Sequence, residues 1–330
     1  MSVDEERMSQ AHLVADTVDM RTHEAVTVSV VMCTRDRPDT IARAITSVMA
    51  QDYAPLDMII VDQSHDDSTQ QIVNELTQHY PQLRYIHLDQ PGLSRAYNIG
   101  IENTRGAIVA FTDDDCIARQ GWLAAIATRF ECEPEIQLIY GQVLLPEELR
   151  ARMDGVTPAL PIPVRQRLNR RNGFKIFGMG ANFAMRRSTL EHIDGFDEIL
   201  GGGGPLKSSQ DFDIAYRVYL SGGTILLEPD SVVEHYGFRS NKDWPATLTS
   251  YGIGDGGFYF KHIRAGDVRA AWLFARAMAR DLARNTKRML LYGPHATQLA
   301  YARGVLTGIR KSLSYEVDRH RRMYVVRSRG

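Results

Sequence analysis

Three consecutive aspartates, Asp113, Asp114 and Asp115, follow directly on the apolar run AIVAFT at residues 107–112. Carboxylates packed that closely at the end of a buried strand repel one another unless a cation or a hydrogen-bond network offsets the charge. Their hard oxygens favour Mg2+ or Mn2+. The competing reading is local: acids dress the N-terminus of a helix expected from Ala118 to Phe130, where the macrodipole favours negative charge. Further acids stand at similar places. Asp62 closes DMIIVD at 57–62, with Asp66 and Asp67 just beyond it, and the first apolar run leads into TRDRPD. Asp211 lies in SSQDFDIAYRV, shortly after Gly201–Gly204, and in isolation reads as a helix cap or as a carboxylate at the edge of a cleft.

These side chains need elements to position them. The runs VTVSVVMC (26–33), DMIIVD, RYIHL (84–88) and AIVAFT are short, β-branched and nearly continuously apolar, the texture of parallel strands buried on both faces. Between them, Asp39–Gln51, Ser68–Tyr80 and Leu93–Thr104 carry apolar positions at helical spacing, as in Ile41, Ala44, Ile45, Val48 and Met49. Alternation at this rhythm predicts a doubly wound α/β sheet, whose ligands gather outside the carboxyl ends of the strands, where the acids stand. Residues 146–173, with four prolines and six arginines, break the rhythm and read as a loop or mobile insertion beside the cleft. GMGANFAM (178–185) permits close backbone approach to a ligand, although an edge strand with a bulge would look the same. Gly201–Gly204 reads as a flexible loop ahead of a helix from Asp211 to Leu220.

With 330 residues, 44% hydrophobic and 24% charged, and only 26 Gly and 13 Pro, the chain has the composition of a globular protein of one large or two modest domains. Fibrous and disordered classes are excluded. Cys33, Cys116 and Cys132 form neither an even framework nor a CxxC pair, so neither a disulfide scaffold nor a thiolate zinc site is expected, and a reducing cytosol is the natural compartment. The opening MSVDEERMSQ has three acids in its first six residues, unlike a signal peptide, and residues 1–24 read as a flexible lead-in. No uncharged apolar run reaches the ~18 residues of a membrane span.

A net charge of −1 hides an asymmetry: residues 261–330 hold 16 Lys and Arg against four acids, and residues 1–260 hold 23 against 36. In the tail, Val268, Ala271, Ala275, Met278 and Leu282 share an arc of about 80°, and Arg269, Arg276, Arg280, Arg284 and Lys287 share another roughly opposite it. This predicts a basic amphipathic helix. It is read as packing on the body with a solvated basic face, as peripheral contact with an anionic membrane surface, or as a guide for an anionic, lipid-linked acceptor. Nucleic acid is not an expected partner, because no aromatic stacking positions interleave with the basic residues.

Taken in order, SVVMCTRDRPDTI, IIVDQSHDDST, QPGLSRAYNIGI, VAFTDDDCI and SSQDFDIAYRV resemble the motif succession of family 2 glycosyltransferases, over roughly residues 26–240. The resemblance implies an α/β fold of the GT-A type, a Rossmann-like mixed sheet flanked by helices, over residues 25–260, with a basic helical C-terminal extension at 261–330. It implies a nucleoside-diphosphate-sugar donor bound with Mn2+ or Mg2+, and inverting transfer to a hydroxyl of a saccharide or lipid-linked acceptor in cell-envelope or exopolysaccharide synthesis. Such an enzyme would be cytoplasmic, or peripheral at the inner face of the membrane.

Carried over residue by residue, Thr34 and Arg37 open the nucleotide pocket and Asp62 reads the base or ribose. Asp113 and Asp115 are the ends of a D-x-D element, with Asp115 the direct metal ligand and Asp114 among the donor contacts. Arg95 and Asn98, three apart on one helical face, reach the same donor; His235 completes the metal shell; Asp211 is the catalytic base. Asp213 reads as support for its helix, and Arg239 as a phosphate partner or a surface residue. Two departures stand out: Tyr97 where many relatives have Arg, and Gln210 where the usual acidic pair has Glu.

The chemistry has its own logic. A departing nucleoside diphosphate accumulates charge that a cation offsets, and an inverting attack needs one carboxylate to take the acceptor's proton. A sugar nucleotidyltransferase would instead need a Gly-rich phosphate loop after the first strand, which TRDRPD lacks. A haloacid-dehalogenase-type phosphatase would place the D-x-D after the first strand, not the fourth. A non-catalytic sugar-nucleotide-binding protein has no need to keep Asp113, Asp115 and Asp211 together.

Overall fold

β-Branched runs make the strands, and the intervals fold as helices because their apolar residues recur every three or four positions. The computed structural model describes residues 26–151, 154–172, 174, 178–293 and 297–326, and the expected lead-in over 1–24 lies outside these. The first half runs β1 (Val28–Thr34), α1 (Pro38–Met49), β2 (Asp57–Asp62), α2 (Ser68–Thr77), β3 (Leu83–His87), α3 (Leu93–Asn103) and β4 (Ile108–Asp113), each within about three residues of its expected bounds. It continues with β5 (Cys116–Ala118), α4 (Trp122–Cys132), β6 (Ile136–Leu144), β7 (Gly155–Val156), β8 (Gln166–Leu168), β9 (Asn182–Arg186), α5 (Arg187–His192), α6 (Gln210–Leu220), β10 (Thr224–His235) and β11 (Arg239–Ser240). Three helices follow, α7 (Trp244–Arg264), α8 (Val268–Tyr292) and α9 (Thr297–Ser312), then a hairpin of β12 (Tyr315–Asp318) and β13 (Met323–Val326).

The sheet order is β3-β2-β1-β4-β9-β6-β10-β5, with β8 alongside β10. β1, β2, β3 and β4 are mutually parallel, whereas β9 is antiparallel to both β4 and β6, so the sheet is mixed. Helices flank it, as in the GT-A fold. Successive strand residues alternate between two cores: Val31, Ile59 and Phe111 join one with Tyr97, Phe196 and Tyr216, while Val30, Ile60 and Ala110 join the other with Ile41, Ile45 and Trp122. The strand ends therefore point the chain between two packed layers, and what emerges there is held from both sides.

Several expectations are corrected. The helix placed at Ala118 begins only at Trp122, after left-handed Gly121, because residues 116–118 pair with β10 instead. The aspartate triplet therefore does not dress a helix N-terminus. Residues 146–173 are not wholly irregular: β8 lies on β10, β7 pairs β11, and Leu160 bridges Val143. TILLEP (224–229) and SVVEH (231–235) belong to one strand, β10, with a register shift between Glu228 and Val232. Gly201–Gly204 is a docked turn: Gly202 O accepts from Leu93 N at 2.7 Å, and a Cβ on Gly201 would meet Ser94 Oγ at 2.8 Å.

The tail helices are tied to the body. The boundary drawn between 260 and 261 falls inside α7, and α7 lies so close to α9 that a Cβ on Gly252 or Gly256 would strike the backbone of Tyr301 or Val305. Helix α8, capped by Asp267 through Arg269 N and Ala270 N, packs through Ala270, Leu273, Phe274 and Ala277. Val268 and Leu282, on the expected packing arc, are instead 82% and 69% exposed. Among the described residues no helix is long and apolar enough to cross a membrane.

Candidate active site

β5 begins two residues after the end of β4 and pairs antiparallel with the end of β10, His235 opposite Cys116, which brings Asp113, Asp115, Cys116 and His235 together; one ligand atom from each lies within 4.8 Å of the others. Arg37 emerges where Pro38 starts α1 immediately after β1, and its Nη1 donates to Asp114 Oδ1 at 2.9 Å and Asp115 Oδ2 at 2.7 Å. Thr34 Oγ1 donates to Asp114 Oδ2 at 2.6 Å. Burial, then Asp115, pushes Asp113 up to about 7. Asp115 moves the other way: burial would raise it, but His235 and Arg37 hold it below the usual carboxylate range.

The cluster's charge is only partly offset. Asp115 Oδ1 stands 3.3 Å from His235 Nε2 yet has no hydrogen-bond donor among the described residues. His235 Nδ1 must donate to the Pro158 carbonyl, 2.9 Å away, which leaves Nε2 as the nitrogen facing the acids. Two carboxylates, one imidazole and an orphaned buried acceptor fit a hard divalent cation. Burial pushes the Cys116 thiol well up, and a hard cation prefers the neighbouring carboxylate oxygens to sulfur.

Asp113 also lines a cavity of about 730 Å3 with Asp211. Asp211 is not a helix cap: Ser209 holds that position, and the Asp211 carboxylate accepts from Gly180 N and Phe212 N, each at 3.0 Å. Tyr140 Oη donates to its backbone carbonyl at 2.7 Å. Lys207 and Ser209 adopt left-handed φ of 66° and 69°, strain of the kind that persists only where surroundings over-determine it. Here Ser208 O accepts from Gly201 N at 3.1 Å and Ser209 Oγ donates to Asp255 Oδ1 at 2.7 Å. Burial, against three backbone donors and helped by Asp255, holds Asp211 up at about 6, a poised carboxylate facing a cavity.

Not every expected residue converges. Asp62, fully buried at the end of β2, accepts from Ser64 N at 2.8 Å, Ser64 Oγ at 2.6 Å and Tyr85 Oη at 2.8 Å, so it braces the loop after β2. Arg95 is exposed and donates to Gln90 Oε1 at 2.6 Å. Asn98 accepts from Phe196 N at 2.8 Å and donates to Phe196 O at 3.0 Å, stapling α3 to the turn before the Gly loop. The two side chains thus take different protein partners. Asp213 is buried support, with Lys261 Nζ at 2.7 Å, Arg217 Nε at 2.9 Å and His262 Nε2 at 2.9 Å. Arg239 lies half-buried in β11, near enough to Asp115 to lower it.

Other cavity residues escaped the reading of the sequence. Asp255 lines it, accepting from Ser209 Oγ and, at 2.6 Å, from Tyr301 Oη; its only signal is its place among the closely spaced glycines of α7. Trp244, Leu248 and Tyr251 add an apolar wall, and α8 adds Arg280, Arg284 and Arg288. Tyr97, noticed as a departure, packs edge-on to Phe111 and Phe183, and its buried hydroxyl has no partner among the described residues although it lines the cavity.

Comparison with known proteins gives this arrangement a context. Residues 29–194 match the model of the family described as Glycosyl transferase family 2. The pre-mycofactocin glycosyltransferase of Mycobacterium tuberculosis is 26% identical over 169 residues, which is 50% of this chain but only 34% of that protein's length. The succinoglycan biosynthesis protein ExoM of Rhizobium meliloti is 23% identical over 307 residues, 87% of this chain and 94% of its own. In fold, the chain is similar to the mannosyltransferase PcManGT of Pyrobaculum calidifontis, solved with GDP-Man and Mn2+, with a TM-score of 0.59, 18% identity and 87% of each chain covered. The family match spans just over half of the chain, from β1 through α5 and including Asp113 and Asp115, and the chain belongs to glycosyl transferase family 2.

Proposed function

We propose that the protein is a metal-dependent, inverting glycosyltransferase that moves a sugar from a nucleoside diphosphate to a hydroxyl of a saccharide or lipid-linked acceptor. Envelope or exopolysaccharide synthesis is the setting, in keeping with the relative named for succinoglycan biosynthesis. The single observation that carries this reading is the shared cavity of Asp113 and Asp211, one beside a cation-ready cluster and the other held at about 6. Residues 25–260 form the transferase unit in this reading, with 261–330 as its basic extension, at work in the cytoplasm or at the inner face of the membrane.

Asp113, Asp115 and His235 would hold Mn2+ or Mg2+, which supplies positive charge against the charge developing on a departing diphosphate. Thr34, Arg37 and Asp114 form a hydrogen-bonded set beside it that orients the donor. Asp62 acts on the nucleotide side chiefly by fixing the loop through Ser64, and Arg95 and Asn98 contribute through the turn that α3 supports. Asp211 takes the proton of the acceptor hydroxyl as that oxygen attacks the anomeric carbon. A carboxylate near 6 is ionised at neutral pH yet more basic than an ordinary one, so it can accept that proton readily.

The test is a thermal-shift and donor-hydrolysis panel of UDP-, GDP- and dTDP-sugars with Mn2+, with Mg2+, and with chelator. A true donor at 100-fold excess over Kd stabilises by about 2.7 kcal/mol, a readily measured rise in Tm. If no nucleotide sugar raises Tm or is hydrolysed with either metal, the proposal fails.

A further inference from the structure

Helix α8 forms one wall of the cavity that holds Asp113 and Asp211 on another, and it brings Arg280, Arg284 and Arg288 to that wall. At four-residue spacing these side chains form one row over two turns, about 12 Å long. Among the described residues none of the three has a carboxylate within ion-pairing distance; Arg280 Nε reaches only the Arg276 carbonyl, at 3.4 Å. Some other arginines of this molecule are matched: Arg165 pairs with Glu228 and Arg321 with Asp194, each at 2.7 Å. The one acid on the same wall, Asp281, accepts from Asn285 Nδ2 at 3.0 Å. All three arginines are solvent-exposed and Asp281 lies near Arg284 and Arg288, yet a row of like charge along a cavity wall still attracts anions.

The position of the row says which substrate it serves. Thr34, Arg37 and Asp62 do not line this cavity, so the arginines stand away from the residues assigned to the nucleotide. The same cavity carries Asp113, Asp211 and Asp255, so it holds acidic groups as well as the basic side chains of α8. A molecule with an anionic group and a free hydroxyl enters such a cavity in one orientation. Trp244, Leu248 and Tyr251 also line the cavity, and past Arg284 the helix exposes Met289, Leu290 and Leu291, 49%, 79% and 61% accessible. Apolar surface on both sides of the row favours an anion joined to an apolar chain over a small hydrophilic one.

We propose that Arg280, Arg284 and Arg288 form the subsite for an anionic group of the acceptor, a phosphate or diphosphate ester on an apolar chain, which they seat so that the acceptor hydroxyl faces Asp211. This rests on the transferase reading, and its test is built to fail separately. The full chain, in chelator to silence the metal cluster, is titrated with farnesyl diphosphate, farnesol and glucuronate by calorimetry. Farnesyl diphosphate binds, at least tenfold tighter than farnesol; R284Q/R288Q weakens it at least tenfold, and R284K/R288K recovers part of the loss. The same R284Q/R288Q protein keeps its Tm rise with nucleotide sugar and Mn2+.

Unchanged affinity of R284Q/R288Q for farnesyl diphosphate overturns the subsite. So does equal binding of farnesol. Arginine-dependent binding of glucuronate without farnesyl diphosphate identifies a carboxylate as the anion and overturns the phosphate ester. Arginine-dependent farnesyl diphosphate binding in a protein that responds to no nucleotide sugar upholds the subsite and defeats the transferase reading instead.

Discussion

Two buried clusters in this molecule mix acids with bases, and they are completed differently. Under α6, Asp213 meets Lys261, Arg217 and His262, while Lys261 Nζ also meets Asp197 at 2.7 Å. Burial alone would raise Asp213, yet Lys261 and Arg217 outweigh it and hold its carboxyl far below the ordinary range. At the mouth of the sheet the balance is left open: Asp113 sits near 7, Asp211 near 6, and Asp115 Oδ1 lacks a donor among the described residues. The same residue types thus serve structure where every charge is matched and chemistry where some are not.

The sharpest way to break this comparison is to neutralise one acid from each cluster. Asp211→Asn lowers turnover by about 10²- to 10⁴-fold while donor binding, read by thermal shift, is retained; a variant that turns over at the wild-type rate removes Asp211 from the mechanism. Asp213→Ala has the converse signature, costing about 3–5 kcal/mol of stability because Lys261 is left buried without one of its partners. Urea unfolding measures it, and a loss below 1 kcal/mol would show that the matched cluster is not structural.

Acidity gives a finer test. Asp211 must be ionised to act, so kcat/KM falls by about tenfold per unit as pH drops below its value of about 6. Asp213 has a depressed carboxyl, so its stabilising effect is present above the unfolded value of about 3.9 and is lost as pH falls below it. Activity therefore disappears on acidification before this part of the stability does. The smallest effect belongs to Tyr97→Phe: its hydroxyl is buried without a partner among the described residues, so removing it leaves Tm unchanged or slightly raised, whereas a contact to substrate would cost about 0.5–1.5 kcal/mol in kcat/KM. Loss of stability in Tyr97→Phe would mean the hydroxyl is matched after all.

What could be read in advance followed periodicity. β1 to β4 and the helices between them were legible because a two-sided buried strand must be continuously apolar, and a helix on its face must repeat every three or four residues. Asp113 and Asp115 were legible by their place at a strand end. The pairing of Asn98 with Phe196 was not, nor the role of Asp255, since each depends on a partner 46 or more residues away. Helix α8 is instructive: its amphipathic arcs were visible, but the face that packs is the one carrying Ala270, Leu273 and Ala277, because the neighbouring helix and body choose the contact.

The sequence by itself determined the alternating α/β layout, the acids at the strand ends and the basic character of the tail, all local consequences of side-chain size and charge. Only the tertiary structure decided which acids would be matched and which left open, that β10 would carry His235 to Asp115, and that α8 would turn three arginines onto the cavity of Asp211. The reason is physical. Desolvation and Coulomb energies depend on distances between segments far apart in the chain, and those distances exist only once the sheet has closed its order and the helices have packed.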